Sequence, residues 1–129
     1  MRALLLDTNA FAMALTDDGR LPSSARQAIE AADRVALSAI SLYEIGQKVR
    51  LGKWPAMTPY VGSLEGQARQ DGFDLVPLTP EAALTAATLD WPHRDPFDRM
   101  IAAVSRLDAM PIVSSDTAFD EIGVERIWG

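Results

Sequence analysis

Five short runs of strand-forming residues recur along this chain, each followed by a stretch carrying helix signals. They are ALLLD near the start, RVALS ahead of Ser41, DLVPL after Gly72, PIVSS ahead of Asp116, and ERIW at the end. Consecutive strands joined by helix-length segments pair in parallel, because a two-residue hairpin cannot return the chain to the same edge. The expectation is a parallel sheet flanked by helices. Helix starts are marked at Ser23 or Ser24, with a helix through Ala32, and at Ser41, with Gly52 as the stop. Thr79-Pro80 and Asp95-Pro96 open two more, the latter running to about Asp108. Pro59 to Gln70 also reads as helical, weakened by Gly62 and Gly66. No repeat, low-complexity tract or linker divides the 129 residues, so the reading is one domain over residues 1–129. Strand order is not readable from these signals.

Four acids stand where predicted strands and helices meet: Asp7 after ALLL, Glu44 in SLYEIG, Asp98 in DPFDRMIAA and Asp116 in IVSSD. In open α/β sheets, ligands gather outside the carboxyl ends of the strands, where the strand order reverses. Asp7 and Asp116 follow strands, and Glu44 and Asp98 fall in the first turns of helices, so all four can face one crevice. Two carboxylates about 5 Å apart repel by roughly 3 kcal/mol at an effective dielectric near 20, and a divalent cation removes that cost. Hard cations take such oxygen ligands and serve phosphoryl chemistry.

Each acid also has an ordinary reading. Glu44 stands three residues after Ser41, the spacing of a capping box. Asp98 can complement the positive end of a helix capped by Asp95, and Asp116 can cap a helix beginning at Thr117. Asp7 resists this treatment, because a carboxylate directly after a buried strand must be exposed, paired or metal-bound.

Composition limits the chemistry. There is no cysteine, which removes thiolate catalysis and thiolate metal sites, and the single histidine, His93, removes multi-histidine centres. His93 itself reads as a loop residue. Twelve Lys and Arg against eighteen Asp and Glu leave a net charge of −6, the opposite of the usual nucleic-acid footprint. Gathering the four acids around a cation would localise much of that excess in one neutralised pocket. Asp7 interrupts the N-terminal apolar run too early for a signal-peptide core, and the expected location is cytoplasmic.

Together, LLLDTNAF, LSAISLYEIGQKVRLGKW, HRDPFDRMIAAVS and IVSSDTAF resemble the PIN-domain ribonucleases, in particular the VapC-type toxins of VapBC toxin–antitoxin modules. The resemblance implies a PIN-like three-layer α/β/α sandwich with a mainly parallel, about five-stranded sheet. It also implies a Mg²⁺- or Mn²⁺-dependent endoribonuclease that hydrolyses RNA through metal-activated water. Carried over residue by residue, the catalytic and metal-binding acids are Asp7, Glu44, Asp98 and Asp116. Asp95 competes with Asp98, which is preferred because it stands three residues before I-A-A. Thr8 and Asn9 resemble the polar pair that orients the first acid, and Ser115 is assigned the same role toward Asp116. The implied partners are an RNA substrate, a VapB-type antitoxin and a second copy of the chain, with no membrane.

RNA held against a negative net field needs local cations. Arg99, Lys48 and Arg94 are the candidates beside the acids, with Arg50 and Lys53 further along the same segment as Lys48. Lysine and arginine near helix C-termini also favour the helix dipole, so this reading competes with a purely structural one. The alternative function is a Mg²⁺-binding, receiver-like signalling domain without nuclease activity. That reading wants a phosphoacceptor Asp after the third strand, where this chain runs FDLVPLT into Thr79.

Overall fold

The computed structural model describes residues 2–129. All five expected strands form: β1 (Ala3–Leu6), β2 (Arg34–Ser38), β3 (Asp74–Val76), β4 (Ile112–Val113) and β5 (Arg126–Ile127). Every pairing is parallel, and the order across the sheet is β3-β2-β1-β4-β5. The order reverses between β1 and β4, where the chain first builds outward through β2 and β3 and then returns to the other side. This order differs from the 2-1-3-4-5 order of flavodoxin-like receiver folds, which removes the signalling alternative at the level of topology.

The central strand is apolar throughout because it is covered twice. Leu4 and Leu6 point to one face, where they pack with Phe11, Ile45, Met57 and Leu64. Leu5 points to the other, with Ala36, Ile101, Ile112 and Phe119. The two faces make two cores, and the three-layer sandwich follows from the period of two along β1. The helices are α1 (Thr8–Leu15), α2 (Ser23–Ala31), α3 (Ala39–Arg50), α4 (Leu64–Gln70), α5 (Pro80–Thr88) and α6 (Pro96–Asp108).

Two helix expectations change. Helix α3 starts before Ser41: Ser38, the last residue of β2, is its N-cap and accepts from the Ile40 amide at 3.2 Å. Ser41 is fully buried inside the helix, so the capping-box reading of Glu44 fails. Residues Pro55–Ser63 wind as a 3-10 helix ahead of α4, consistent with Pro59, which supplies no amide hydrogen to an α-helical ladder. Gly52 closes α3 in the left-handed region at φ +72°, a conformation that disfavours residues with a Cβ. Thr79 and Asp95 cap α5 and α6 as expected. Among the described residues no helix is long and apolar enough to cross a membrane.

Phe11 is fully buried at the start of α1 and meets Phe73 edge-on, with centroids 5.1 Å apart. Phe11→Ala is expected to cost about 3–5 kcal/mol in urea unfolding, the range for an aromatic removed from a core that cannot collapse.

Candidate metal centre

The reversal of strand order places the carboxyl ends of β1 and β4 side by side, with Asp7 following one and Ser114 the other. Asp7 caps α1, its Oδ1 accepting the Ala10 amide at 2.8 Å, while the Ser114 hydroxyl donates to Oδ2 at 2.5 Å. The same Ser114 oxygen accepts the Asp116 amide at 2.9 Å. One hydroxyl thus ties the acid after β1 to the backbone of the acid after β4. Ser114 is fully buried, whereas Ser115, assigned this supporting role from the sequence, is exposed. The chain bends at Ser115 just after β4, so adjacent side chains diverge and the buried one, Ser114, takes the position.

Glu44 enters from α3, in its second turn rather than its first, and is 4% exposed. The Thr8 hydroxyl donates to Glu44 Oε1 at 2.6 Å and lies 2.9 Å from the Ser41 hydroxyl. Thr8 therefore orients Glu44, not Asp7 as expected. Asn9 is exposed and lines a separate cleft of about 450 Å³ with Trp54 and Tyr60, and among the described residues no hydrogen bond joins it to Asp7. Successive residues of a helix point about 100° apart, so only one of the pair after Asp7 can face inward.

Asp98 stands in the first turn of α6, and Asp95 is confirmed as the cap of that helix, accepting the Phe97 amide at 2.9 Å. The Asp98 side chain meets His93, with Nε2 2.8 Å from Oδ2. Asp116 caps the short 3-10 helix Thr117–Ile122 through the Ala118 amide, so its structural reading is realised too. That role leaves an oxygen near the others: ligating atoms of His93, Asp98 and Asp116 lie within 4.8 Å of one another. The sequence reading set His93 aside as a loop residue. It is in a loop, and the missed signal was its place two residues ahead of the Asp95 cap, from which a side chain can fold back onto the first helical turn.

Electrostatics bear the cost of this arrangement. Burial, reinforced by Asp98 and Glu44, pushes the Asp7 carboxyl up to about 6 against the help of Ser114 and the Ala10 amide. Burial also raises Asp98, with Asp95 and Glu44 adding to the rise and the hydrogen bond from His93 opposing it. Lys48 offsets part of the negative charge by donating to Glu44 Oε2 at 2.6 Å, with its ammonium 5.6 Å from the centre of the Trp54 ring. The ammonium is thus engaged inside the site rather than standing free for a phosphate.

Arg99 is the clearest departure from expectation. Its Nε donates to the Ala86 carbonyl at 2.8 Å, Nη1 to Trp91 and His93 at 2.7 and 3.0 Å, and Nη2 to Leu89 at 2.6 Å. The guanidinium gathers a carbonyl from the last turn of α5 and three from the segment after it, holding the 89–93 loop against α6, so it is not a free surface cation. Arg94 is exposed on that loop. Trp91 is buried against Phe119, and Trp54 and Trp128 pack partly buried on the opposite core.

The model of the PIN domain family matches residues 4–125. Ribonuclease VapC22 of Mycobacterium tuberculosis is 31% identical over 118 residues, spanning 90% of this chain and 88% of that protein. Among solved structures, VapBC2 from Rickettsia felis bound to a promoter DNA fragment superposes with a TM-score of 0.69 at 14% identity, over 98% of this chain and 99% of that one. Mycobacterium tuberculosis VapC20, described as a Sarcin-Ricin loop cleaving toxin, superposes at 0.67 and 17% identity, again over 98% and 99%.

Two outcomes follow from the site's energetics. A carboxyl raised when folded stabilises the protein fully below its unfolded value, near 3.8, and that contribution disappears as pH climbs through about 6. Without divalent cation, Asp7→Asn is expected to be the more stable form at pH 7.5 by about 3 kcal/mol, with the gap closing below pH 4 in urea titrations. Asparagine keeps the cap through its one oxygen on the Ala10 amide and turns its NH2 toward Ser114, whose hydroxyl oxygen then accepts instead of donating. Arg99→Lys preserves charge but cannot reach four carbonyls, and is expected to lower stability by about 2 kcal/mol.

Proposed function

This chain belongs to the PIN domain family, and we propose that it is a metal-dependent endoribonuclease of the VapC type, the toxin partner of a protein antitoxin. The observation that carries the site assignment is the buried Asp7 carboxylate at the reversal of strand order, with Glu44 and Asp98 close enough to raise its pKa further. Among the described residues the carboxylate cluster, held by cap amides and hydroxyls, meets one cationic side chain, Lys48, and that one pairs with Glu44. The donor set therefore fits a divalent cation, Mg²⁺ or Mn²⁺, held by Asp7, Glu44, Asp98 and Asp116. When bound, such an ion supplies Lewis-acid polarisation of a phosphate oxygen and acidifies water at neutral pH.

The chain's own groups prepare that chemistry. Ser114 and the Ala10 amide fix both oxygens of Asp7, and Thr8 with Lys48 fixes both oxygens of Glu44. Two acids are thereby locked in orientation before any ligand arrives, which lowers the reorganisation needed in the reaction. His93 and the α6 backbone hold Asp98 from the other side. Phosphates of the substrate meet a negatively charged protein, so the cation and the exposed Arg94 supply the local attraction.

RNA as substrate is supported by the ribonuclease name of the 31%-identical relative. An antitoxin partner is supported by solved VapBC structures that share the fold, and pairing of two copies of this chain is part of the same proposal. Location in the cytoplasm belongs to the same proposal.

The test is cleavage of structured RNAs by the purified chain with Mg²⁺ or Mn²⁺, with and without chelator. Cleavage is expected to require the ion and to fall at least about a hundredfold in Asp7→Asn and in Glu44→Gln. Wild-type rates in Asp7→Asn would remove the acid cluster from the mechanism.

A further inference from the structure

The histidine beside Asp98 carries chemistry that the four acids do not. Its Nε2 stands 2.8 Å from Asp98 Oδ2, and donor atoms of His93, Asp98 and Asp116 fall within a 4.8 Å span. In an octahedral site with bonds of about 2.1 Å, neighbouring donors are about 3 Å apart and opposite ones about 4.2 Å. The imidazole and the Asp98 carboxylate already have the spacing of two neighbouring ligands. Asp116 completes the set from a span of 4.8 Å, about 0.6 Å beyond that of opposite ligands, a gap that a side-chain rotation closes.

The ring is also held in place. Trp91 lies against it, with centroids 4.6 Å apart and planes 34° apart, and Trp91 is itself packed on Phe119. Arg99 Nη1 bonds the carbonyls of both Trp91 and His93, so the loop presenting the imidazole is tied to the helix presenting Asp98. That tie gives Arg99 a use close to the site without contact with substrate.

We propose that His93 is a direct ligand of the bound cation through Nε2, making the centre a mixed nitrogen and oxygen site that favours Mn²⁺ over Mg²⁺. The inference rests on the cation reading given above. Mg²⁺ selects oxygen and dehydrates reluctantly, whereas imidazole suits first-row transition ions, so replacing one oxygen position by nitrogen moves selectivity away from magnesium. The competing role is a hydrogen bond from His93 that only orients Asp98, as residues behind metal ligands do.

These roles separate by spectroscopy on the full, untagged chain with Mn²⁺ alone and no RNA. His93 is the one histidine in the sequence, so an imidazole nitrogen coupled to Mn²⁺ in pulsed EPR has a single possible source. The expected result is a directly bonded ¹⁴N signal in the wild type that changes to the ¹⁵N pattern on histidine labelling. His93→Gln, which retains a donor for Asp98, is expected to lose the signal and to weaken Mn²⁺ binding about tenfold or more, with Mg²⁺ binding altered less than about threefold. Mn²⁺ bound with oxygen ligands alone in the wild type would overturn the ligand role while leaving the cation reading intact. Failure of the wild type to bind Mn²⁺ at all would overturn both.

Discussion

The Asp7 carboxylate, buried at the seam between β1 and β4, is the constraint around which the rest of the site is arranged. A charged group at the end of a fully covered strand loses its hydration, and its pKa rises accordingly. The fold answers with one amide and one hydroxyl, from Ala10 and Ser114, each aimed at a different oxygen. Those two donors do not cancel the cost of burial. The residual imbalance is what makes the position suited to a cation and poorly suited to a purely structural role.

Capping and the proposed chemistry use the same side chains here. Asp7 starts α1 and Asp116 starts the 3-10 helix after β4, each with one oxygen on an amide and the other near a neighbouring acid or hydroxyl. A helix N-terminus welcomes negative charge, so caps can be crowded together with less repulsion than free carboxylates would meet. Helix starts converge because parallel strands all end on one side of the sheet. The parallel topology therefore supplies both the acids and part of their stabilisation.

The positive residues near the site are largely engaged inside the protein. Lys48 is drawn onto Glu44 and the face of Trp54, and Arg99 onto one carbonyl of the last turn of α5 and three of the loop that carries His93. In both cases a long side chain satisfies partners that would otherwise be poorly paired, which a solvated surface cation does not do. With these cations used internally in a protein of net charge −6, the proposed function leaves attraction of a polyanion to the proposed cation and to exposed groups such as Arg94.

Local chemistry made much of this molecule legible in one dimension. The apolar runs announced all five strands, Thr79-Pro80 and Asp95-Pro96 announced two helix starts, and the motifs around Asp7, Glu44, Asp98 and Asp116 announced the family, because each signal lies within a few consecutive residues. The partners of those acids were not legible. Ser114 instead of Ser115, Thr8 turned toward Glu44, His93 folded back onto Asp98 and Arg99 withdrawn from solvent all depend on side-chain direction and on contacts between segments far apart in the chain. Residue order determined which groups exist and which elements they cap; strand order and packing alone decided which of them share a pocket, since proximity across a sheet is a property of the closed fold and not of the spacing along the chain.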